Sequence, residues 1–202
     1  MSATAGAVHV MHHDPAEAVG RRERLGVRLL IVADAAFVFG TIFTYLYLRN
    51  LNTNGGWLPK GAHTVSSTSG WVTAIPFVIA ALLHAFGRRN SGAHAAVSPL
   101  VFVALIVGMY LQVQQLSTMP FMVQGSVGFE GSYASAWFLL GMANMVHYVL
   151  GAFVALGLAV RARRVHLDPE LDSWRLSTAG SWFTWIAVAA CASAVTTMIV
   201  TI

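Results

Sequence analysis

Five apolar runs, each close to the length needed to cross a bilayer, constrain what this chain can fold into more than any other feature. Crossing about 30 Å of hydrocarbon at about 1.5 Å per residue takes roughly 20 mostly apolar residues. The runs cover about residues 25–48, 71–86, 99–116, 133–160 and 181–202. Within lipid a single segment satisfies its own backbone hydrogen bonds only as a helix, so each run is expected to be one. Composition agrees, with 56% hydrophobic residues, 10% charged residues and a mean hydropathy of +0.65. The expected fold is therefore all-α: a polar tail over residues 1–24, then one membrane domain of five transmembrane helices over residues 25–202. The run at 133–160 exceeds what the bilayer requires, so it should tilt or project beyond the headgroups. Pro76 in the second run implies a local kink.

Orientation follows from where the basic residues fall. Ten of the twelve Lys and Arg residues lie in the tail and first turns, in the 88–98 turn and in the 161–180 connection, which share one side if there are five spans. Only Arg49 and Lys60 lie on the other. Basic residues near spanning helices are retained in the cytoplasm, so the N-terminus is expected inside and the C-terminus outside. Residues 1–24 hold no apolar core followed by a small-residue cleavage site, and so read as a cytoplasmic tail and not a secretory signal. Arg28, Arg88, Arg89, Arg161, Arg163 and Arg164 read as interfacial anchors. Trp57, Trp71, Trp182 and Trp185 fall near inferred helix ends and read as an aromatic belt, with Trp57 and Trp182 as anchors. Beyond the net charge of +4, nothing in the sequence suggests a nucleic-acid partner.

Ionisable groups inside the runs are the first place to seek function, because mid-bilayer charge is costly. Asp34 is the only carboxylate within the inferred spans. Burial without a partner would favour its neutral form. His147 lies near the middle of the fourth run, with Asn144 three residues before it on the same face. Gln112 and Gln115 repeat that spacing in the third run. Together they suggest a polar layer that is either a proton-responsive or lipid-contacting site, or hydrogen bonding that only specifies packing. Metal chemistry has little support. His84 sits near one end of its run, His9, His12 and His13 lie in the tail, and a haem or copper centre needs several histidines at one depth. Cys191 stands alone in an apolar run and reads as a packing residue. No Ser or Cys stands with a His and an acid in a local catalytic motif.

The order of these residues resembles cytochrome c oxidase subunit III, in a short bacterial form with five helices that lacks the first two helices of longer members. The family's Leu-Gly, aliphatic stretch, intramembrane acid and Phe-rich helix is similar to Leu25-Gly26 through Asp34 to Phe37 and Phe39, with Asp34 where the family has Glu. Its Gly and Trp-Pro-Pro loop is similar to Gly55-Gly56-Trp57-Leu58-Pro59. Its glycine and glutamine seven apart match Gly108 and Gln115, while Thr118 stands where the family has an acid. Its Tyr-Gly-Ser and paired Phe, leading into Gly-Phe-His-Gly-Leu-His, align with Tyr133-Ala134-Ser135, Trp137-Phe138, Asn144, His147 and Gly151. In the last span only the Trp of Tyr-Trp-His-Phe-Val-Asp is kept, as Trp182. The resemblance implies a non-catalytic subunit of a haem-copper terminal oxidase in a bacterial plasma membrane. Such a chain would bind no haem, copper or other metal itself. It would flank catalytic subunit I with subunit II, within a larger respiratory supercomplex in some cases, bind phospholipid between its helices and support proton uptake during oxygen reduction. Asp34, His147, Asn144 and Gln115 would be its intramembrane site residues. An accessory subunit of a related nitric oxide reductase and a small proton-coupled transporter are the alternatives.

Overall fold

The computed structural model describes residues 14–90, 93–118, 131–163 and 169–200. These form five long helices: α1 (Ala16–Leu51), α2 (Ser69–Arg89), α3 (His94–Thr118), α4 (Gly131–Ala162) and α5 (Pro169–Thr197), with a single 3-10 turn at Thr53–Gly55. All five are long and apolar enough to cross a membrane, so this is an all-helical, multi-pass membrane protein. Large apolar side chains such as Leu29, Phe39, Phe43, Leu82 and Phe153 point outward, which in water would favour aggregation and in lipid is the favourable arrangement.

Every helix begins before its apolar stretch, and all but α5, which ends at Thr197, also run beyond it. α1 begins at Ala16, nine residues before Leu25, so part of the expected tail is helical. α5 begins at Pro169, twelve residues before Ser181. Polar turns remain helical outside lipid because neighbouring helices hold them. Arg24 lies over the Trp174 ring at 4.4 Å, Arg175 Nε pairs with Glu23 at 3.4 Å, and Gly20 leaves room for the Trp174 side chain. Arg21 pairs with Glu17 at 3.6 Å one turn away, and Arg22 pairs with Asp14. α2 runs as one helix across Pro76.

Around the bundle the order of contact is α1, α5, α2, α3, α4, with α4 returning to α1 and also touching α5. α5 can sit between α1 and α2 because its inner face is small: Ala187, Ala189, Ala190, Ser193 and Ala194 are all buried. Pairs along the α1–α5 seam advance in step, from Gly20 with Trp174 through Arg24 with Ser177 and Asp34 with Trp185 to Tyr45 with Ile199, so the two helices are parallel. Away from the arginine-rich end, the 52–68 connection folds over the start of α4. Gly56 and Trp57 carbonyls accept the Ser132 and Tyr133 amides at 3.0 Å, which satisfies two otherwise unpaired helix-start donors. Gly131 turns into α4 at φ 82, where a Cβ would also strike Pro59.

Two aromatic expectations are corrected here. Trp57 is 3% exposed, packed edge-on against Tyr45 and Tyr133 at 5.0 and 5.5 Å, and its indole N–H donates to the Val200 carbonyl at 2.9 Å. It locks the loop and the end of α5 together and does not face the lipid boundary. Trp182 is also 3% exposed, inside the main core, because α5 starts so early that this residue lies thirteen positions into the helix. The basic anchors fare differently: Arg28, Arg88, Arg89, Arg161 and Arg163 are exposed, while Arg164 lies outside the described residues, as do His9, His12 and His13.

Candidate functional site

Asp34 points from α1 toward α4 and α5, where it meets two nitrogen-bearing rings. His147 Nε2 on α4 lies 3.1 Å from Oδ1 and 2.9 Å from Oδ2. The Trp185 indole N–H on α5 donates to Oδ2 at 2.6 Å. Three helices therefore converge on one carboxyl group. The His147 side chain is 2% exposed and that of Asp34 is 15% exposed, so the acid keeps a narrow opening while the imidazole is enclosed.

The chemistry of the cluster follows from its donors. An indole nitrogen only donates, so Trp185 always presents a hydrogen to the carboxyl oxygen. Imidazole and carboxyl can each carry a proton, and at this separation one proton can sit on either, as N–H facing carboxylate or as O–H facing nitrogen. Among the described residues no Lys or Arg pairs with Asp34; its partners there are His147 and Trp185. Aromatic rings fix the imidazole: Phe77 and Trp182 stand edge-on to it at 6.4 and 6.2 Å between ring centres. Behind them Tyr148 stacks on Phe77 at 3.8 Å and donates its hydroxyl hydrogen to the Thr73 carbonyl. Gly108 makes room for this ring, since a Cβ there would overlap it. The His147 ring position thus depends on packing from α2, α3 and α5 together.

Among the described residues, the other polar residues expected in the layer share no hydrogen bond with this cluster. Asn144 is 6% exposed on α4, and among the described residues no hydrogen bond joins it to Asp34. Gln112 donates to the Gln115 side-chain oxygen at 3.0 Å, and Gln115 donates to the Ser69 carbonyl at 2.9 Å. That pair ties α3 to the first turn of α2. Trp185 is the member of the cluster that sequence reasoning misses. His84 is buried at the arginine-rich end, with Nε2 3.0 Å from the Leu176 carbonyl and the Phe183 ring 5.0 Å away. Among the described residues, no three His, Cys, Asp or Glu side chains gather as a set that could hold a metal ion.

Fold and site together define a multi-pass membrane bundle with one carboxyl group, shared by three helices, in its interior. No family model matches the chain, and no curated protein matches it.

Proposed function

We propose that this chain is a non-catalytic subunit of a haem-copper terminal oxidase, the role that subunit III plays. Its haem and copper would belong to the catalytic subunits I and II, and phospholipid would fill gaps between its helices. The arginine-rich end would face the cytoplasm of a bacterial cell. The observation that carries the proposal is the pairing of Asp34 with His147 inside the bundle. Asp34 stands where the subunit III motif order has Glu, His147 keeps the second histidine of that order, and the two lie in contact although 113 positions apart in sequence. A carboxyl–imidazole pair with a narrow opening can take up and hold a proton beside a partner subunit, which suits support of proton uptake and gives this chain no electron-transfer chemistry of its own.

The test is purification in mild detergent through a terminal tag, with a visible spectrum and mass spectrometry of the co-purifying chains. Haem a-type absorption together with a large multi-span partner is the expected result. A colourless single species would contradict the proposal. The same Asp34–His147 pair favours a second reading, a small proton-coupled transporter. Reconstituted alone, such a protein would show flux that Asp34→Asn abolishes, whereas an oxidase subunit would show none.

A further inference from the structure

An acid and an imidazole in contact can hold an added proton in three ways, and the surroundings of this pair separate them. Before the proton arrives, a neutral His147 donates Nε2–H to the Asp34 carboxylate. The proton can then go to Nδ1, giving an imidazolium beside a carboxylate. It can go to the carboxyl while the ring changes tautomer, giving O–H facing Nε2 and N–H at Nδ1. Or it can go to a carboxyl oxygen that leaves the Nε2–H bond in place. The first two forms place an N–H at Nδ1, and the third does not.

Nδ1 is buried and, among the described residues, has no hydrogen-bond partner. The rings standing edge-on to the imidazole supply none. Phe77 of α2 has no polar atom, and Trp182 of α5 has only an indole N–H, itself buried and without a partner among the described residues. A ring face is at best a weak acceptor. Behind Phe77, the Tyr148 hydroxyl is committed to the Thr73 carbonyl, and α3 meets that ring with Gly108, which brings no side chain. A buried N–H without an acceptor carries its full desolvation cost, the more so on a cation. The two carboxyl oxygens also differ. Oδ2 accepts from His147 at 2.9 Å and from Trp185 at 2.6 Å, whereas Oδ1 has His147 alone, at 3.1 Å. Two donors on Oδ2 favour it as the carbonyl oxygen of a neutral acid and leave Oδ1 as the hydroxyl. Asp34 is, moreover, the half of the pair that keeps an opening.

We infer that Asp34 Oδ1 is the atom that takes the proton, while His147 remains a neutral Nε2–H donor throughout. The step forms one O–H bond with a proton delivered by water at the opening, the carboxylate becomes a neutral carboxyl, and no electron moves. The inference rests on the reading of this pair as a site of proton uptake. Its test uses the full chain alone, purified in detergent with 15N-labelled histidine and followed by NMR between about pH 5 and 8, with infrared difference spectra on the same samples. His147→Gln identifies the His147 signal. The ring should keep the neutral Nε2–H signature across the range, while a carboxyl C=O band that Asp34→Asn abolishes grows in toward acid pH. Hydrogen bonding lowers a carbonyl stretch, so Trp185→Phe, which removes a donor from Oδ2, should move that band to higher frequency. An imidazolium or Nδ1–H signature for His147, no acid band lost in Asp34→Asn, or a band unmoved by Trp185→Phe would overturn the inference. None of these outcomes bears on which chains co-purify, so failure here and failure of the oxidase reading are told apart.

Discussion

Among the polar groups of the described residues, two differ in what they require of their surroundings. Gln112 and Gln115 are neutral, lie on one helix and bond to each other and to the Ser69 carbonyl. Asp34 needs His147 from α4 and Trp185 from α5, and the imidazole in turn needs Phe77 and Trp182 to hold it. An amide pair can form wherever two neighbouring turns carry it, so it specifies packing. A buried acid shared by three helices is costly unless all of them are in register, which makes it the better mark of function.

The largest expected effect comes from removing the imidazole. His147→Leu leaves the Asp34 carboxyl with Trp185 alone and should destabilise the bundle by about 3–5 kcal/mol, read from chemical unfolding in detergent by circular dichroism. Trp185→Phe keeps most of the ring volume but withdraws one hydrogen bond to the acid, for an expected loss of about 1.5–3 kcal/mol in the same assay. Gln115→Leu should cost only about 0.6 kcal/mol, the usual worth of a hydrogen bond between membrane helices. If Gln115→Leu proved as damaging as His147→Leu, the distinction between the two groups would fail. Gly108→Val sharpens it from another side: the added side chain strikes Tyr148, so the loss of about 1–3 kcal/mol expected from overpacking should be accompanied by a change in the His147 ring resonances.

Much of the fold could be read from hydropathy alone. Five apolar runs became five helices in the expected order. The ends could not be read so well, because a hydropathy window stops at the first charged turn, whereas a helix supported by contacts such as Arg24 with Trp174 does not. That error carried into the site. With α5 begun at Ser181, Trp182 and Trp185 look like residues at the membrane boundary. With α5 begun at Pro169 they lie thirteen and sixteen residues inside, at the depth of Asp34. Asp34 and His147 were legible because an ionisable residue in an apolar run stands out by itself. Their contact, and the third member from α5, depend on the parallel register of α1 and α5, which tertiary packing sets and no local motif encodes.

The most direct test of the central claim, that the Asp34 cluster works on protons while the glutamine pair only packs, uses the oxidase complex proposed above, purified with this chain. Turnover rate, its pH profile and its decay over successive turnovers are compared for Asp34→Asn, Gln115→Leu and the parent. Asp34→Asn keeps an acceptor for Trp185, so assembly should be preserved while turnover falls or decays faster, and Gln115→Leu should follow the parent. An unchanged pH profile and an unchanged lifetime for Asp34→Asn would contradict the account.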